Sequence, residues 1–112
     1  MLFTEEHIAQ IISGEKTQTR RLWDKKQVKK GNSYRACESL FTPRVDSPAY
    51  ILVLDVYQEN LGKLSESDAN EEGGYTREEF KELWIDMHGC WNKNDSVWVV
   101  KFEGYENDPR QI

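Results

Sequence analysis

A concentration of positive charge in the first third of the chain holds the first candidates for chemistry. Eight Lys and Arg residues stand between Lys16 and Arg35, against a single acid, Asp24. An arginine offers a planar pair of donors to a phosphate, and a lysine offers a point charge. The cluster is therefore either a solvated basic loop or one wall of a site for a negatively charged ligand.

Aromatic residues lie within the same stretch and strengthen the second alternative. Stacking on aromatic rings beside cations is how proteins bind single-stranded nucleic acid or a nucleotide. The ligand contacts that this pattern predicts are two arginines and two aromatics: Arg20, Arg21, Trp23 and Tyr34.

Carboxylates precede a glycine pair in the second half of the chain. Asp68, Glu71 and Glu72 stand just before Gly73 and Gly74. The acids either keep a loop soluble, or one of them crosses the fold to meet Lys16 or an arginine. The glycines permit the close backbone approach that such a site needs.

Other reactive residues do not form a recognisable site. His88, Cys90 and Cys37 lack the spacing of a zinc site, and two distant cysteines make no disulfide framework. His7 falls in the first predicted helix, where we expect a surface or packed residue. We expect no metal ion and no cofactor.

Composition limits the class of protein. The 112 residues suffice for one domain, and the net charge of −5 hides an asymmetry. Residues 1–45 hold nine Lys/Arg against five acids, and residues 46–112 hold six against fifteen. No apolar run is long enough to span a membrane, and the first residues lack the features of a secretory signal. We therefore expect a cytoplasmic monomer with no membrane segment.

Two helices and several strands are predicted around these residues. Thr4 caps a short helix that ends at Gly14, and Thr76 with Glu79 forms a capping box at the start of another. The strand pattern is strongest in AYILVLDVYQ (49–58) and SVWVVKFEGY (96–105).

Weaker segments complete the pattern. Residues 17–23 and SYRACES (33–39) read as short strands, and a loop surrounds Pro43 and Pro48. LSESDANEEGG (64–74) allows at most one helical turn before its glycines. Strands outnumber helices without alternating with them, which predicts an α+β domain built on a small, mostly antiparallel sheet or barrel of about five strands.

Strand geometry restricts how Lys16 and Thr19 cooperate. Residues at odd offsets on a regular strand point to opposite faces. Both side chains reach one site only if the chain turns or bulges directly after Gly14.

The motif Gly14-x-Lys16-Thr17-x-Thr19-x-Arg21, after a short amphipathic helix, resembles the opening motif of ASCH domains. The resemblance continues in order to about residue 103, through Tyr34, the long strand at 49–58, Glu72-Gly73, the capped helix with Trp84 and the closing strand. It implies a PUA-like β-barrel with two or three short helices at its rim. Residues 1–104 would form this domain, and residues 105–112 a flexible tail.

The resemblance also implies a function. ASCH domains are associated with binding of RNA or modified nucleosides, and some small members are amidohydrolases that deacetylate acetylcytidine. The lysine, threonine and glutamate of those enzymes fall on Lys16, Thr19 and Glu72. This chain departs from them at Arg20 and Trp23. We therefore expect a domain that binds RNA or a modified nucleoside in a basic cleft, with an amidohydrolase as the alternative.

Overall fold

A four-stranded antiparallel sheet organises the residues described by the structure, a computed structural model that covers residues 1–38, 49–107 and 109. The helices are α1 (Glu5–Ser13), α2 (Glu66–Gly73) and α3 (Arg77–His88), with a 3-10 turn at Leu61–Lys63. The strands are β1 (Gln18–Arg21), β2 (Ser33–Ala36), β3 (Ala49–Asn60) and β4 (Ser96–Tyr105). Their spatial order is β1-β4-β3-β2.

The long pair of β3 and β4 forms the centre of the sheet, and apolar clusters cover both of its faces. One cluster joins Ile51 and Phe102 to Ile11 of α1. The other joins Val99 to Phe80 and Trp84 of α3. Burial on both faces over residues 49–53 of β3 and 97–102 of β4 explains why these parts of the two strands are apolar without alternation.

The chain turns between α1 and β1, so that Lys16 lies outside the strand. Gly14 ends α1 in the left-handed conformation, with φ of 85°. The Lys16 amide then donates to the Gln10 carbonyl at 3.1 Å, and the Thr17 amide donates to the Glu71 carbonyl at 2.8 Å. Because β1 begins only at Gln18, strand alternation does not separate Lys16 from Thr19.

The segment before the glycine pair forms a full helix, whereas the sequence predicted at most one turn. Ser65 and Asp68 make a capping box at the start of α2, and Gly74 ends it with φ of 80°. Only Ala69 among its apolar residues is buried, so the helix has almost no hydrophobic stripe. Tertiary contacts and caps stabilise it instead.

The α+β class and the antiparallel sheet are confirmed, but the described residues contain four strands where about five were predicted. β4 continues to Tyr105, one residue beyond the predicted domain boundary. The loop predicted around Pro43 and Pro48 lies outside the described residues, as does most of the tail after residue 107. None of the described helices has the length and apolar content needed to cross a membrane.

A close contact between β4 and α1 generates a prediction about stability. A Cβ at Gly104 would overlap the carbonyl oxygen and side chain of Ile11. We expect Gly104→Ala to lower the free energy of unfolding by about 1–3 kcal/mol, because the core must shift to accept the methyl group. Urea denaturation measures this, with the exposed β4 position Ser96→Ala as control. Equal stabilities for the two variants would contradict the contact.

Candidate functional site

One cleft of about 810 Å³ collects five of the seven side chains that the sequence singled out. They are the proposed catalytic residues and both arginines: Lys16, Thr19, Arg20, Arg21 and Glu72. The first four come from the turn after α1 and from β1, and Glu72 comes from the last turn of α2. Of the two alternatives for the acids, the structure shows the crossing of a carboxylate to Lys16, since the two side chains form an ion pair at 3.2 Å.

Lys16 is buried and donates to three oxygens around it. Its Nζ lies 3.2 Å from Glu72 Oε2, 2.7 Å from the Glu72 carbonyl oxygen and 3.0 Å from the Gln18 carbonyl oxygen. The Glu72 carbonyl is one of the free carbonyls at the end of α2, and no basic residue of α2 itself lies there. The ammonium therefore also caps the negative end of this helix.

Burial moves the pKa values of the two charged partners toward each other. Loss of water lowers the pKa of Lys16, although Glu72 opposes the shift. Burial likewise raises the pKa of Glu72, against the charges of Lys16 and Arg20. Burial therefore disfavours the charged form of both groups, while their mutual attraction favours it.

Arg20 is held by a set of carboxylates. Its Nη2 lies 2.9 Å from Glu59 Oε1 and 3.4 Å from Asp68 Oδ2, and its Nη1 lies 3.6 Å from Glu72 Oε1. Burial opposes ionisation of Asp68, but hydrogen bonds with Ser65 and the charge of Arg20 outweigh it and lower the pKa of that carboxyl. The positive charge of Arg20 is therefore balanced by carboxylates of the protein itself.

Thr19 and Arg21 form the part of the cleft nearest the N-terminus. Arg21 Nε donates to Thr19 Oγ1 at 3.2 Å, and Nη2 donates to the Leu2 carbonyl at 2.7 Å. The guanidinium lies 4.7 Å from the ring centroid of Phe3. Lys16 and Thr19 line the same cleft, but Lys16 Nζ bonds Glu72 and Gln18 rather than the threonine hydroxyl.

The cleft has a further wall, made by residues to which the sequence analysis gave no functional role. His7 Nε2 lies 2.8 Å from Tyr75 Oη, and both residues line the cleft. From α3 come the apolar and aromatic side chains Phe80, Leu83, Trp84 and Met87. His7 stands one turn before the buried Ile11 on α1, which is the one sequence signal that it faces inward.

Two predicted ligand contacts, Trp23 and Tyr34, are not brought to this cleft. Trp23 packs against the α1 core cluster. Tyr34 belongs to β2, which two strands separate from β1, and its hydroxyl accepts from the Lys29 amide at 2.8 Å. The aromatic surface of the cleft comes instead from Phe3, Tyr75 and two residues of α3, Phe80 and Trp84. Within residues 1–38, 49–107 and 109, no His, Cys, Asp and Glu side chains are grouped so as to hold a metal ion.

The ion pair of Lys16 and Glu72 predicts that substitutions at the two positions have coupled effects on stability. Glu72→Gln leaves two buried cations with less compensation, so we expect a loss of about 3–5 kcal/mol in the free energy of unfolding. Lys16→Met should cost less, because Glu72 keeps Arg20 and can take a proton. The double variant should lose clearly less than the sum of the single variants. Additive losses in urea denaturation would show that the two groups are not coupled.

The environment of His7 predicts how the free energy of unfolding depends on pH. Burial, then the nearby charges of Lys16 and Arg21, lower its pKa from 6.5 to about 4. The unfolded chain therefore binds a proton between pH 6.5 and 4 that the folded chain does not, so this contribution to stability is lost as the pH falls through that window. His7→Gln, which cannot titrate, should flatten the fall in unfolding free energy between pH 7 and pH 4.5. An unchanged slope would contradict the burial of His7.

Structural comparison places the fold among known proteins. The sequence matches no family model and no curated protein. The structure is similar to an ASCH domain from Lactobacillus crispatus, with a TM-score of 0.68 and 16% identity over 88% of this chain and 69% of that one. It is also similar to ZmASCH from Zymomonas mobilis, studied as its S128A mutant, with a TM-score of 0.63 and 13% identity over 92% and 65%.

A further neighbour extends the alignment to almost the whole chain. Protein EF3133 from Enterococcus faecalis V583 aligns with a TM-score of 0.61 and 21% identity, over 98% of this chain and 77% of that one. All three neighbours are longer than this chain, and the identities are low enough that the similarity describes the fold alone. The resemblance that the Gly14–Arg21 motif predicted is confirmed at that level: the chain has the fold of an ASCH domain.

Proposed function

We propose that this chain binds a modified nucleoside, either free or at an unpaired position of an RNA, in the cleft around Lys16. The observation that supports the proposal is a buried polar floor of Lys16, Thr19 and Glu72 facing an aromatic wall within one cleft of about 810 Å³. Apolar clefts of this size with a few convergent polar groups are the usual form of small-molecule sites.

The charges of the floor favour a neutral base over a phosphate. Lys16 is paired with Glu72, and Arg20 is surrounded by three carboxylates. A phosphate placed there would face those carboxylates as well as the cations. Arg21 forms no ion pair with a carboxylate of the described residues, so it is the cation we assign to the sugar or phosphate side of the ligand.

Unused hydrogen-bonding capacity suggests how a base would be oriented. Glu72 Oε1 is buried and pairs with Arg20 Nη1 at 3.6 Å, which is beyond hydrogen-bonding distance. An amino or imino group of a ligand would supply the missing donor. Tyr75 and His7 offer a second polar pair, while Phe80 and Trp84 offer apolar surface to the ring.

Hydrolysis of an N-acetyl group is the second candidate, and the lowered pKa of Lys16 favours it. In this reaction Lys16 first passes a proton to Glu72. The neutral amine of Lys16 then takes the hydroxyl proton of Thr19, and Thr19 Oγ1 attacks the carbonyl carbon of the acetyl group of acetylcytidine. The amide C–N bond breaks, and the cytosine amine leaves with that proton. Water then hydrolyses the acetyl ester, which releases acetate and restores Thr19.

The reaction makes one geometric demand. Lys16 Nζ must leave the Gln18 carbonyl oxygen and turn to Thr19 Oγ1. Hydrogen bonds of this kind often tighten only when substrate is bound. Simple binding needs no such rearrangement, and we therefore place binding first.

One experiment tests both candidates. Purified protein is titrated with acetylcytidine, cytidine and uridine by calorimetry, and release of cytidine is followed by chromatography. Thr19→Val removes the hydroxyl with little change of shape, and Thr17→Val, which lies outside the cleft, is the matched control. Hydrolysis predicts turnover that Thr19→Val lowers by at least about a thousandfold and Thr17→Val preserves.

The remaining outcomes are equally informative. Tight binding of acetylcytidine without turnover, weakened by Thr19→Val but not by Thr17→Val, supports the binding function alone. Absence of both binding and turnover for all three nucleosides, in a folded sample, would overturn the proposal.

A further inference from the structure

A second cavity, of about 590 Å³, lies beside α3 and shares none of its lining residues with the cleft. It is lined by Arg77 and Lys81 of α3 and by Trp91, Asn92 and Lys93 of the loop that follows. We propose that this cavity is a separate nucleotide site, in which Lys81 and Lys93 bind a phosphate and Trp91 stacks on the base. This proposal does not depend on the function of the cleft.

The charge of the cavity is the first argument. No described carboxylate forms an ion pair with Arg77, Lys81 or Lys93, in contrast to Lys16 and Arg20 in the cleft. The three cations therefore keep their charges available to an anionic ligand, although the chain as a whole has a net charge of −5. The cavity therefore has the phosphate-binding character that the cleft lacks.

The indole of Trp91 is the second argument. It is partly buried against Trp84, whose ring centroid lies 6.4 Å away. The Arg77 guanidinium carbon and the Lys81 Nζ lie 5.8 and 5.9 Å from the Trp91 centroid. A phosphate bound by Lys81 is thus within one nucleotide's length of a base on the indole. Base stacking on an aromatic side chain contributes about 1–3 kcal/mol and tolerates any base.

The frame of the cavity is fixed by hydrogen bonds to the backbone. Arg77 Nε donates to the Leu64 carbonyl at 2.9 Å, which ties α3 to the 3-10 turn. The Gly62 amide donates to the Lys93 carbonyl at 2.9 Å, and a Cβ at Gly62 would fall 2.8 Å from Lys93 Cβ. Glycine at this position allows the close approach that forms one side of the cavity. Because Arg77 donates to the backbone in this way, Lys81 and Lys93 are the cations that we assign to the ligand.

The test compares two sources of the same chemistry. Cytidine 5′-monophosphate represents a free nucleotide, a single-stranded uridine hexanucleotide represents RNA, and cytidine lacks the phosphate. Binding is measured by calorimetry and by shifts of the tryptophan indole NMR signals. The variant is Lys81→Gln/Lys93→Gln, and the matched control, with the same change of charge, is Lys25→Gln/Lys26→Gln in an exposed turn.

We expect the wild-type protein to bind the monophosphate at least tenfold more tightly than cytidine, with a shift of the Trp91 indole signal. Lys81→Gln/Lys93→Gln should raise the dissociation constant at least tenfold, and the control variant less than twofold. Trp91→Phe should retain part of the affinity, whereas Trp91→Ala should lose most of it. The affinity for this site is read from the Trp91 indole signal, because Trp91 lines this cavity and not the cleft, which separates this site from the proposed function.

The pattern of binding identifies the source of the ligand or overturns the site. A hexanucleotide that binds much more tightly than the monophosphate assigns the cavity to single-stranded RNA, and equal affinities assign it to a free nucleotide. Equal losses in the two double-lysine variants would show diffuse electrostatic attraction and overturn the proposal. So would the absence of binding by both phosphorylated probes.

Discussion

The burial of Glu72 between Lys16 and Arg20 is the constraint on which the rest of the structure depends. Removing a carboxylate from water is costly, and the attraction of nearby cations offsets that cost only when the geometry is good. Here the offset comes from two cations of the same short segment and from the capping of α2 by Lys16. The helix, the turn after α1 and strand β1 are therefore held together by one set of charges.

The backbone around this set explains why its geometry is good. Gly14 ends α1, so the chain reverses and brings the Lys16 amide back to the Gln10 carbonyl. Gln10 in turn donates from its side chain to the Gly73 carbonyl at 3.0 Å. The end of α1 and the end of α2 are thus joined directly by the Gln10 side chain. Charges fixed in this way would need little rearrangement to meet the ligand that we propose for the cleft.

Local signals in the sequence were enough for the elements that have a cap or an apolar period. Thr4, Thr76 and the β3 and β4 runs predicted their helices and strands, and the Lys16 motif predicted the ASCH fold. α2 was missed because a helix stabilised by caps and ion pairs leaves almost no periodic pattern. The sequence did not indicate the aromatic residues of the cleft for a related reason. Periodicity shows that Trp84 is buried, but not that the buried face also lines a cleft.

The contrast between the two cavities follows from what charge burial costs. Cations that stay partly solvated, such as those around Trp91, can remain without carboxylates because water screens them. Cations placed beneath a cleft must be neutralised as the chain folds, and Glu72 does this for Lys16. Neutralising the deepest cations weakens the attraction for a phosphate there, and it leaves buried hydrogen-bonding groups that suit the neutral base we propose as the ligand. Positive charge in a sequence therefore predicts a phosphate site only where the structure leaves that charge unpaired.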